Sequence, residues 1–262
     1  MIYSQLMGGL GNIMFIVSNI YSLSIDRHDK YCVSDNTQSC TKRPQESVWL
    51  KTIFKDVKKV QGRPKYIRKM FREKGFSHQV IPNTDHFEIH GYFQSAKYFD
   101  HNRSHIVKLF TTYKKQIQTK LDKIFPKTDK ETVSIHIRRG DYVRLAEFHH
   151  VQKIEYYQKA LSHFQDKDYH FIIFSDDIEW CQETDLFNQI EDKTFITKTT
   201  DVQDLYLMSM CNHNIIANSS FSWWGSYLNE NDTKKVVAPK IWFGPKGPQD
   251  WQDIYMENWI LE

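Results

Sequence analysis

The chain has 262 residues, and its 35 Lys and Arg nearly balance 32 Asp and Glu, giving a net charge of +3. Aromatic residues make up 15% of the sequence, which excludes the aromatic-poor composition of a disordered chain. At about 150 residues per domain, the length predicts one large globular domain or two small ones. The balance of charge argues against a nucleic-acid partner and leaves room for a local anion site.

The sequence indicates a cytoplasmic protein. Residues 1–6 lack the basic flank and long apolar run of a signal peptide, and no run of about 18 apolar residues occurs. Peripheral association with a membrane, through surface lysines, is a further expectation. Four cysteines fit neither a disulfide framework nor a C-x-x-C zinc spacing, so we expect them to be reduced: Cys32, Cys40, Cys181 and Cys211.

The first half of the chain begins with a strand, a turn and a helix. Residues 2–6 predict the strand, the glycine-rich run 8–12 predicts the turn, and apolar residues from Ile13 to Leu23 recur at helical spacing. Residues 87–93 predict another strand.

A long amphipathic helix is predicted between Ile106 and Ile124, with Ser104 as its cap. It ends at Pro126, and the polar run 127–131 has the composition of a linker. We therefore predict two domains, an N-terminal domain at 1–126 and a C-terminal domain at 127–262.

In the second half, short apolar strands alternate with helices. The strands begin near Val133, His170, Asn214 and Val236, and the helices between them show apolar residues at helical spacing. Buried strands separated by helices predict parallel sheets with helices on both faces and ligands beyond the carboxyl ends of the strands. The fold prediction is α/β, with two Rossmann-like parallel-sheet domains facing a central cleft.

The first motif, residues 136–142, ends the strand that begins near Val133. Its Arg138 and Arg139 stand at the carboxyl end of that strand, where their guanidiniums could converge on an anion. Arginine suits a phosphate because its planar fork donates two parallel charge-assisted hydrogen bonds. The alternative is a surface strand end that carries a structural Arg–Asp pair.

The second motif, Asp176-Asp177, directly follows an apolar strand. Adjacent side chains on an extended segment point to opposite faces, so these two carboxylates are badly spaced to share one metal ion. We expect one of them to accept hydrogen bonds from a base or ribose and the other to cap the next helix.

The third motif, residues 218–225, follows a strand and opens a helix. Small hydroxyl residues and exposed backbone N–H groups at such a helix start form an anion site. The alternative is plain capping by Ser220 or Ser222. Trp223 and Trp224 are expected to pack in the core.

Other catalytic motifs are missing from the sequence. The run 8–12 does not meet the G-x-G-x-x-G spacing, and there is no G-x-x-x-x-G-K-[ST], H-E-x-x-H or G-x-S-x-G. Dehydrogenase, P-loop ATPase, zinc protease and serine hydrolase classes therefore lose support.

The motifs, taken in order, resemble glycosyltransferase family 11, the alpha-1,2-fucosyltransferases. The resemblance implies a two-domain GT-B-like fold and transfer of L-fucose, with inversion, from GDP-beta-L-fucose to the 2-hydroxyl of a terminal galactose on a glycan. It also implies that no metal and no cofactor are required, that the N-terminal domain lies on the acceptor side of the site, and that the C-terminal domain binds the GDP-sugar. The matching segments span almost the whole chain: 8–12, 91–95, 136–143, 174–180, 204–209 and 214–225.

The resemblance also implies roles for individual residues. Arg138 and Arg139 would lie near the GDP phosphates and act as electrostatic catalysts, and Asp204 would lie against the guanine edge. Ile13 stands where the family usually has Gln, and the segment 141–157, a loop expected to face the acceptor, is shorter than usual. The donor site would also include His136, Asp176, Asp177, Asn218, Ser219, Ser220 and Phe221, with Gly9, Gly11 and Asn12 from the N-terminal domain.

The base that deprotonates the acceptor stays open in the sequence. Asp141 ranks first because it stands beside the arginines, although a salt bridge that orients them is an equal alternative, and Glu147, His149 and His150 follow. Three other functions compete: a metal-dependent transferase using Asp176 and Asp177, a GDP-sugar transferase of different linkage or acceptor, and a non-catalytic carbohydrate-binding protein.

Overall fold

The computed structural model describes residues 1–38 and 46–262, so Cys40 lies outside the described residues. The chain forms two compact units. Unit 1 contains Met1–Ile117 and Asp250–Met256, and unit 2 contains Gln118–Gln249 and Glu257–Glu262. Each unit has its own parallel sheet, so the predicted fold class of two parallel-sheet α/β units is confirmed.

Unit 1 is built on a sheet in the order β3-β2-β1-β5-β4, and every pairing in it is parallel. Three short 3-10 helices lie at Ala96–Tyr98, Asp100–Asn102 and Gln252–Ile254. The elements in chain order are β1 (Ile2–Met7), α1 (Leu10–Asp26), β2 (Tyr31–Gln38), α2 (Glu46–Lys51), β3 (Lys59–Val60), β4 (Lys69–Arg72), β5 (Phe87–His90) and α3 (Arg103–Gln116).

The strand, glycine turn and helix at the start of the chain form as predicted. Strand β1 lies in the middle of the sheet, and α1 follows it directly after Gly8 and Gly9. Apolar residues of α1, among them Ile13, Phe15 and Ile16, are completely buried, because a helix that covers a parallel sheet turns a wide apolar face to it. Ile13 therefore belongs to the core of unit 1.

Two predictions about unit 1 are wrong in their bounds. The strand predicted at 87–93 ends at His90, because Phe93 has a φ of 53° that a strand ladder does not accommodate. The long helix predicted from Ile106 to Ile124 is two helices that break at Ile117. Its cap is also different, since α3 starts after Asn102 and includes Ser104 in its first turn.

Unit 2 contains a sheet in the order β11-β10-β9-β6-β7-β8, again with parallel pairings only. Its elements are α4 (Gln118–Ile124), β6 (Glu131–Ile137), α5 (Gly140–Arg144), α6 (Ile154–Ser162), β7 (Tyr169–Ser175), α7 (Ile178–Glu183), α8 (Asp185–Asn188), β8 (Lys193–Phe195), α9 (Asp201–Met210), β9 (His213–Ile215), α10 (Ser220–Tyr227), β10 (Val236–Ala238) and β11 (Ile260–Leu261).

Helix α4 lies on the unit 2 side of the division and packs against α9. The units thus divide earlier in the chain than the predicted boundary after Pro126, and the segment Asp250–Met256 returns to unit 1. The proposal that 1–126 and 127–262 are separate functional domains stays a prediction.

The core of unit 2 surrounds β6 and β7. Residues 132–137 are buried on both faces of β6, as expected for a central strand of a parallel sheet covered by helices on both sides. The two strands pair along their whole length, so that Ile137 lies opposite Ser175. This register brings the ends of β6 and β7 together, and with them the arginine and aspartate motifs that follow.

The cysteines among the described residues are all buried. They are Cys32, Cys181 and Cys211, and burial raises the pKa of the Cys181 thiol to about 11. Within the described residues, none of the helices is both long and apolar enough to cross a membrane.

Candidate active site

The three motifs of unit 2 lie at one edge of its sheet. Residues 138–141 follow β6, residues 176–177 follow β7 and residues 218–221 follow β9, and β6 lies between β9 and β7. The chain runs from β6 through β7 to β8 on one side, then returns to place β9 on the other side of β6. In open parallel sheets, ligands bind beyond the carboxyl ends of the strands at such a reversal.

Arg138 lies at the centre of an ion-pair cluster. Its Nη2 donates to Asp141 Oδ1 at 2.5 Å, and its Nη1 lies 2.9 Å from Asp176 Oδ2. Burial alone would lower the pKa of Arg138, but the two carboxylates raise it above its usual value. The guanidinium also stacks 5.1 Å from the ring centre of Tyr142, so it is held on several sides in one orientation.

Arg139 is held by the other aspartate. Its Nε donates to Asp177 Oδ2 at 3.0 Å, its backbone N–H donates to Asp176 Oδ1 at 2.9 Å, and its guanidinium lies 4.0 Å above the Trp180 ring. Within the described chain these bonds use only the Nε of the side chain, which leaves both Nη groups for a ligand.

One of the two adjacent aspartates caps the next helix, as expected: Asp177 accepts from the Trp180 backbone N–H, and it also accepts from Arg139 Nε. Asp176 accepts from Arg138 Nη1 and from the Arg139 backbone N–H, and contact of either carboxylate with a base or ribose stays a prediction. A β-carbon at Gly140 would collide with the Asp176 carboxylate, so this approach requires glycine. In the part of the chain described, no three His, Cys, Asp or Glu side chains are grouped to hold a metal ion.

His136 is a buried, neutral group beneath the arginines. Burial, together with the nearby Arg138 charge, lowers the pKa of its imidazole to about 3. Its Nδ1 has no hydrogen-bond partner among the described residues, and its ring lies 5.6 Å from the ring of Phe221. The contact joins the first motif to the third across the β6–β9 reversal.

The third motif is capped one residue earlier than predicted. Ser219, rather than Ser220 or Ser222, is the N-cap of α10, and its Oγ accepts from the Phe221 backbone N–H at 3.3 Å. The difference arises because β9 ends early and the chain is already extended at Ser219. Trp223 and Trp224 are completely buried, as expected for core residues.

Asn218 ties this motif to two neighbouring loops. Its Nδ2 donates to the backbone carbonyls of His150 at 2.8 Å and Trp242 at 2.7 Å. The backbone carbonyl of Asn218 accepts from the Tyr142 hydroxyl at 3.1 Å. The amide donors of Asn218 are thus used to fix the loops around the site.

Asp204 is a half-buried carboxyl in the first turn of α9. The Thr199 hydroxyl donates to it at 2.5 Å, and burial raises its pKa to about 7. Capping of α9 is done by Thr200 and Gln203, so Asp204 is not needed for that purpose. A half-buried carboxyl at the carboxyl edge of the sheet, with no structural task that requires its charge, is typical of a ligand-binding group.

The predicted acceptor-side residues lie in the loop after α5. His149 stacks on Tyr142 with ring centres 4.3 Å apart and planes 9° from parallel. Burial lowers the pKa values of both His149 and His150, so both imidazoles are held neutral. Glu147 is exposed and pairs with Lys246 at 2.6 Å rather than with Arg138 or Arg139.

In unit 1, Gly9 lies in the turn between β1 and α1, and Gly11 and Asn12 lie in the first turn of α1, at the carboxyl edge of that sheet. Asn12 is half-buried, and its Oδ1 accepts from the Gln94 Nε2 at 2.9 Å. The two predicted sets of site residues therefore belong to different units, and each set lies at the carboxyl edge of its own sheet.

Some groups that shape the site had no role in the sequence analysis. Trp180 and Tyr142 stack on the arginines, and Thr199 binds Asp204. Trp180 could have been found, because it follows the capping Asp177 by one helical turn and so returns toward the strand end. Thr199 carries no signal in the sequence.

Comparison of the whole chain with solved structures defines its class. Escherichia coli ADP-heptose LPS heptosyltransferase II superposes with a TM-score of 0.51 at 10% identity, covering 100% of this chain and 89% of that one. At this identity the likeness concerns the fold alone. The fold is that of the GT-B-like glycosyltransferases.

Comparison with known sequences then gives the family. The model of glycosyl transferase family 11 matches residues 9–262. The chain is 30% identical to the alpha-1,2-colitosyltransferase of Escherichia coli, over 99% of this chain and 98% of that protein. It is also similar to the Escherichia coli O-antigen biosynthesis glycosyltransferase WbnK (35%; 66% and 59% covered) and to mouse galactoside 2-alpha-L-fucosyltransferase Sec1 (26%; 86% and 64%). The chain belongs to glycosyl transferase family 11, so it is a glycosyltransferase, and the predicted resemblance is confirmed.

Proposed function

We propose that the protein is an inverting alpha-1,2-fucosyltransferase, which moves L-fucose from GDP-beta-L-fucose to the 2-hydroxyl of a terminal galactose on a glycan. The observation that carries this proposal is the arginine pair at the β6–β9 reversal, with the Asp204 carboxyl at the same edge of the sheet. The family supports the reaction class, and the name of the mouse relative supports the sugar and the linkage.

The arginines would bind the diphosphate. The two guanidiniums and the carboxylates of Asp141, Asp176 and Asp177 carry a formal net charge of −1, so a diphosphate needs donors that the carboxylates do not already occupy. The Nη groups of Arg139 are the first available donors, and they face such an anion without any break in the Asp177 bond. As the leaving diphosphate gains charge, preorganised donors of this kind lower the barrier by roughly 3 kcal/mol each.

Asp204 would recognise the guanine. A carboxylate accepts two hydrogen bonds, and the N–H and NH₂ donors on one edge of guanine fit it. The carboxyl has a pKa of about 7 without ligand, and two guanine donors would stabilise its ionised form. His136 and Phe221 would lie beside the nucleotide, with Asn218, Ser219 and Ser220 closing the site from α10, as the resemblance implies.

The transfer would be a direct displacement. The galactose O2 forms a bond to the fucose C1, the bond from C1 to the diphosphate oxygen breaks, and GDP leaves with the electron pair. The hydroxyl proton goes to a base. His149 fits that task because its imidazole is neutral and lies on Tyr142, whereas Asp141 is already paired with Arg138 and is better suited to orient it. His150 and Glu147 stay as further candidates.

A second candidate is transfer of colitose in the same linkage. The relative whose alignment covers 99% of this chain is named for that activity, and both names specify an alpha-1,2 bond. We expect no metal requirement, because Asp176 and Asp177 are badly spaced to share one ion and each already pairs with an arginine side chain. We also expect a galactose-terminated acceptor. Peripheral membrane association stays a prediction.

A donor and acceptor screen tests the proposal. GDP release is measured from GDP-fucose and GDP-colitose, with galactose-terminated oligosaccharides, with EDTA and with added Mn²⁺. The expected result is GDP-fucose turnover that EDTA does not change, with an alpha-1,2 bond in the product by NMR. Preference for GDP-colitose supports the second candidate. Turnover lost in EDTA and restored by Mn²⁺, or a different linkage, contradicts the proposal.

A further inference from the structure

The segment Gly91-Tyr-Phe-Gln-Ser95 matches the family but has no task in the site described so far. It follows β5 directly, and β5 is the neighbour of β1 in the unit 1 sheet. Strand order reverses here as well, because β2 and β3 lie on one side of β1 while β5 and β4 lie on the other. The segment is therefore at the reversal point of its own sheet, beyond the carboxyl ends of the strands.

The half-buried carboxylate of Glu73 holds this segment in place. Glu73 comes directly after β4, and its Oε2 accepts from the backbone N–H groups of Tyr92 and Phe93, both at 2.8 Å. Its Oε1 accepts from the Tyr98 hydroxyl at 3.4 Å. Burial raises the pKa of Glu73 to about 7, although the two backbone donors act in the opposite direction.

The backbone around Glu73 is shaped to accept it. A β-carbon at Gly91 would collide with the Glu73 side chain, so glycine is required there. Phe93 adopts the unfavourable φ of 53°, and its completely buried ring packs edge-on against Tyr98 at 5.3 Å. Such a conformation persists only where the surroundings fix it, and the two hydrogen bonds to Glu73 do so at this point.

Gln94, the next residue, connects this segment to the start of α1. Gln94 is buried, and its Nε2 donates to Asn12 Oδ1 at 2.9 Å. Asn12 is half-buried in the first turn of α1, beyond the end of β1. One chain of contacts thus runs from Glu73 through the backbone of Tyr92 and Phe93 and the Gln94 amide to Asn12.

We propose that Glu73 is a positioning residue of the transferase, which acts through the segment Gly91–Gln94 to fix the Asn12 carboxamide for contact with a substrate oxygen. The proposal rests on the proposed function only for that last contact. A carboxamide offers one neutral donor group and one acceptor to a substrate, and its usefulness depends on which way it faces. Gln94 donates to Asn12 Oδ1 and thereby sets which way the Asn12 carboxamide faces.

The first experiment needs no activity. ¹⁵N NMR of the full chain follows the side-chain amide signals of Asn12 and Gln94, each assigned by its loss in Asn12→Ala or Gln94→Ala, and hydrogen exchange follows the Tyr92 and Phe93 amides. In Glu73→Ala both side-chain signals should shift and both backbone amides should lose protection. Glu73→Gln keeps an oxygen acceptor for the backbone donors and should retain the wild-type behaviour. Unchanged Asn12 and Gln94 signals in folded Glu73→Ala would overturn the proposal.

The second experiment measures coupling in turnover. Glu73→Ala should lower kcat/KM by about 10- to 100-fold, because a misplaced contact group costs that much, and Glu73→Gln should stay within a few-fold of wild type. Glu73→Ala combined with Asn12→Ala should be no worse than Asn12→Ala alone, since both act on one contact. Additive losses, or a Glu73→Gln enzyme as poor as Glu73→Ala, contradict the positioning role.

Glu88→Ala is the matched control. Glu88 is a buried carboxylate of the same sheet, paired with Arg63 at 2.5 Å within β5 rather than at its end. Its loss should lower the melting temperature and leave kcat/KM of the folded enzyme and the Asn12 signal unchanged. If the wild type transfers no sugar while Glu73→Ala still shifts the Asn12 signal, the proposed function fails and the positioning of Asn12 stands.

Discussion

The carboxyl edges of the two sheets differ sharply in charge. After β6 and β7, unit 2 brings together two arginines and three aspartates within hydrogen-bond distance. After β1 and β5, unit 1 joins two carboxamides, Asn12 and Gln94, and the half-buried Glu73 carboxyl holds the backbone just before Gln94. Since both edges lie at reversal points of parallel sheets, the side chains rather than the folds distinguish the proposed anion site from the proposed Asn12 contact with a substrate oxygen.

Removal of an arginine should have the largest effect on turnover. Arg139→Ala, with the fold intact, should lower kcat by about a hundredfold, because it removes a donor aimed at the leaving diphosphate. Arg138→Ala should lose at least as much, since it also leaves the Asp141 and Asp176 carboxylates without their cation. Steady-state kinetics measures both, with circular dichroism to verify folding.

Arg144→Ala is the control for these variants. Arg144 is an exposed cation on the same short helix as Asp141 and lies outside the cluster. Its turnover should match wild type, and a folded Arg138→Ala enzyme that does the same would remove the electrostatic assignment.

Asp204→Asn should weaken donor binding and remove its dependence on pH. A buried charge-assisted hydrogen bond contributes about 1.5–3 kcal/mol, so GDP affinity should fall by about 10- to 100-fold. Because the wild-type pKa is about 7 and the ionised form binds guanine, wild-type affinity should rise as pH increases through 7. Calorimetric titration with GDP between pH 6 and 8.5 measures both effects; equal slopes in the two proteins would exclude Asp204 from the base site.

Gly140→Ala should change the geometry of the ion-pair cluster in unit 2 without changing its charge. The added methyl collides with the Asp176 carboxylate, so the Arg138–Asp176 pair must shift while all five charges stay. We expect kcat to fall by about tenfold, less than for loss of an arginine. Full activity would show that the aspartate contact is dispensable.

The smallest effect concerns stability. Folding raises the pKa of Asp204 above its usual value, so its contribution to stability is greatest at low pH and is lost as pH rises toward 7. Asp204→Asn should therefore be more stable than wild type by on the order of 1–3 kcal/mol at pH 8, with the difference disappearing near pH 4. Urea unfolding at both pH values measures it, and an advantage that does not change with pH would contradict the assigned ionisation.

Part of the candidate site could be predicted from the sequence, because it depends on hydrophobic periodicity and on where the strands end. Alternation predicted that Arg138 lies at the end of β6, and the position of the aspartate pair before a helix predicted that one of the two, Asp177, caps it. Which carboxylate meets which guanidinium depends on the β6–β7 register, which no single segment encodes.

Other features could not be predicted for similar reasons. Glu73 stands in a polar stretch without periodicity. It is half-buried because the segment that begins at Gly91 packs against it. The break at Ile117 is hidden because apolar spacing continues across it, while tertiary contacts assign α4 to the other unit. Local propensity gives way to packing at both places.

The buried thiols make the protein convenient to label. A thiol reacts as its thiolate, and Cys32, Cys181 and Cys211 are all buried, so maleimide dyes should ignore them at neutral pH. Once Cys40 is replaced by Ser, cysteines introduced at Val80 in unit 1, which is 86% exposed, and at Ile241 in unit 2, which is 47% exposed, become the fast-reacting pair. Energy transfer between two dyes there would test, one molecule at a time, whether added GDP changes the distance between the two labelled positions.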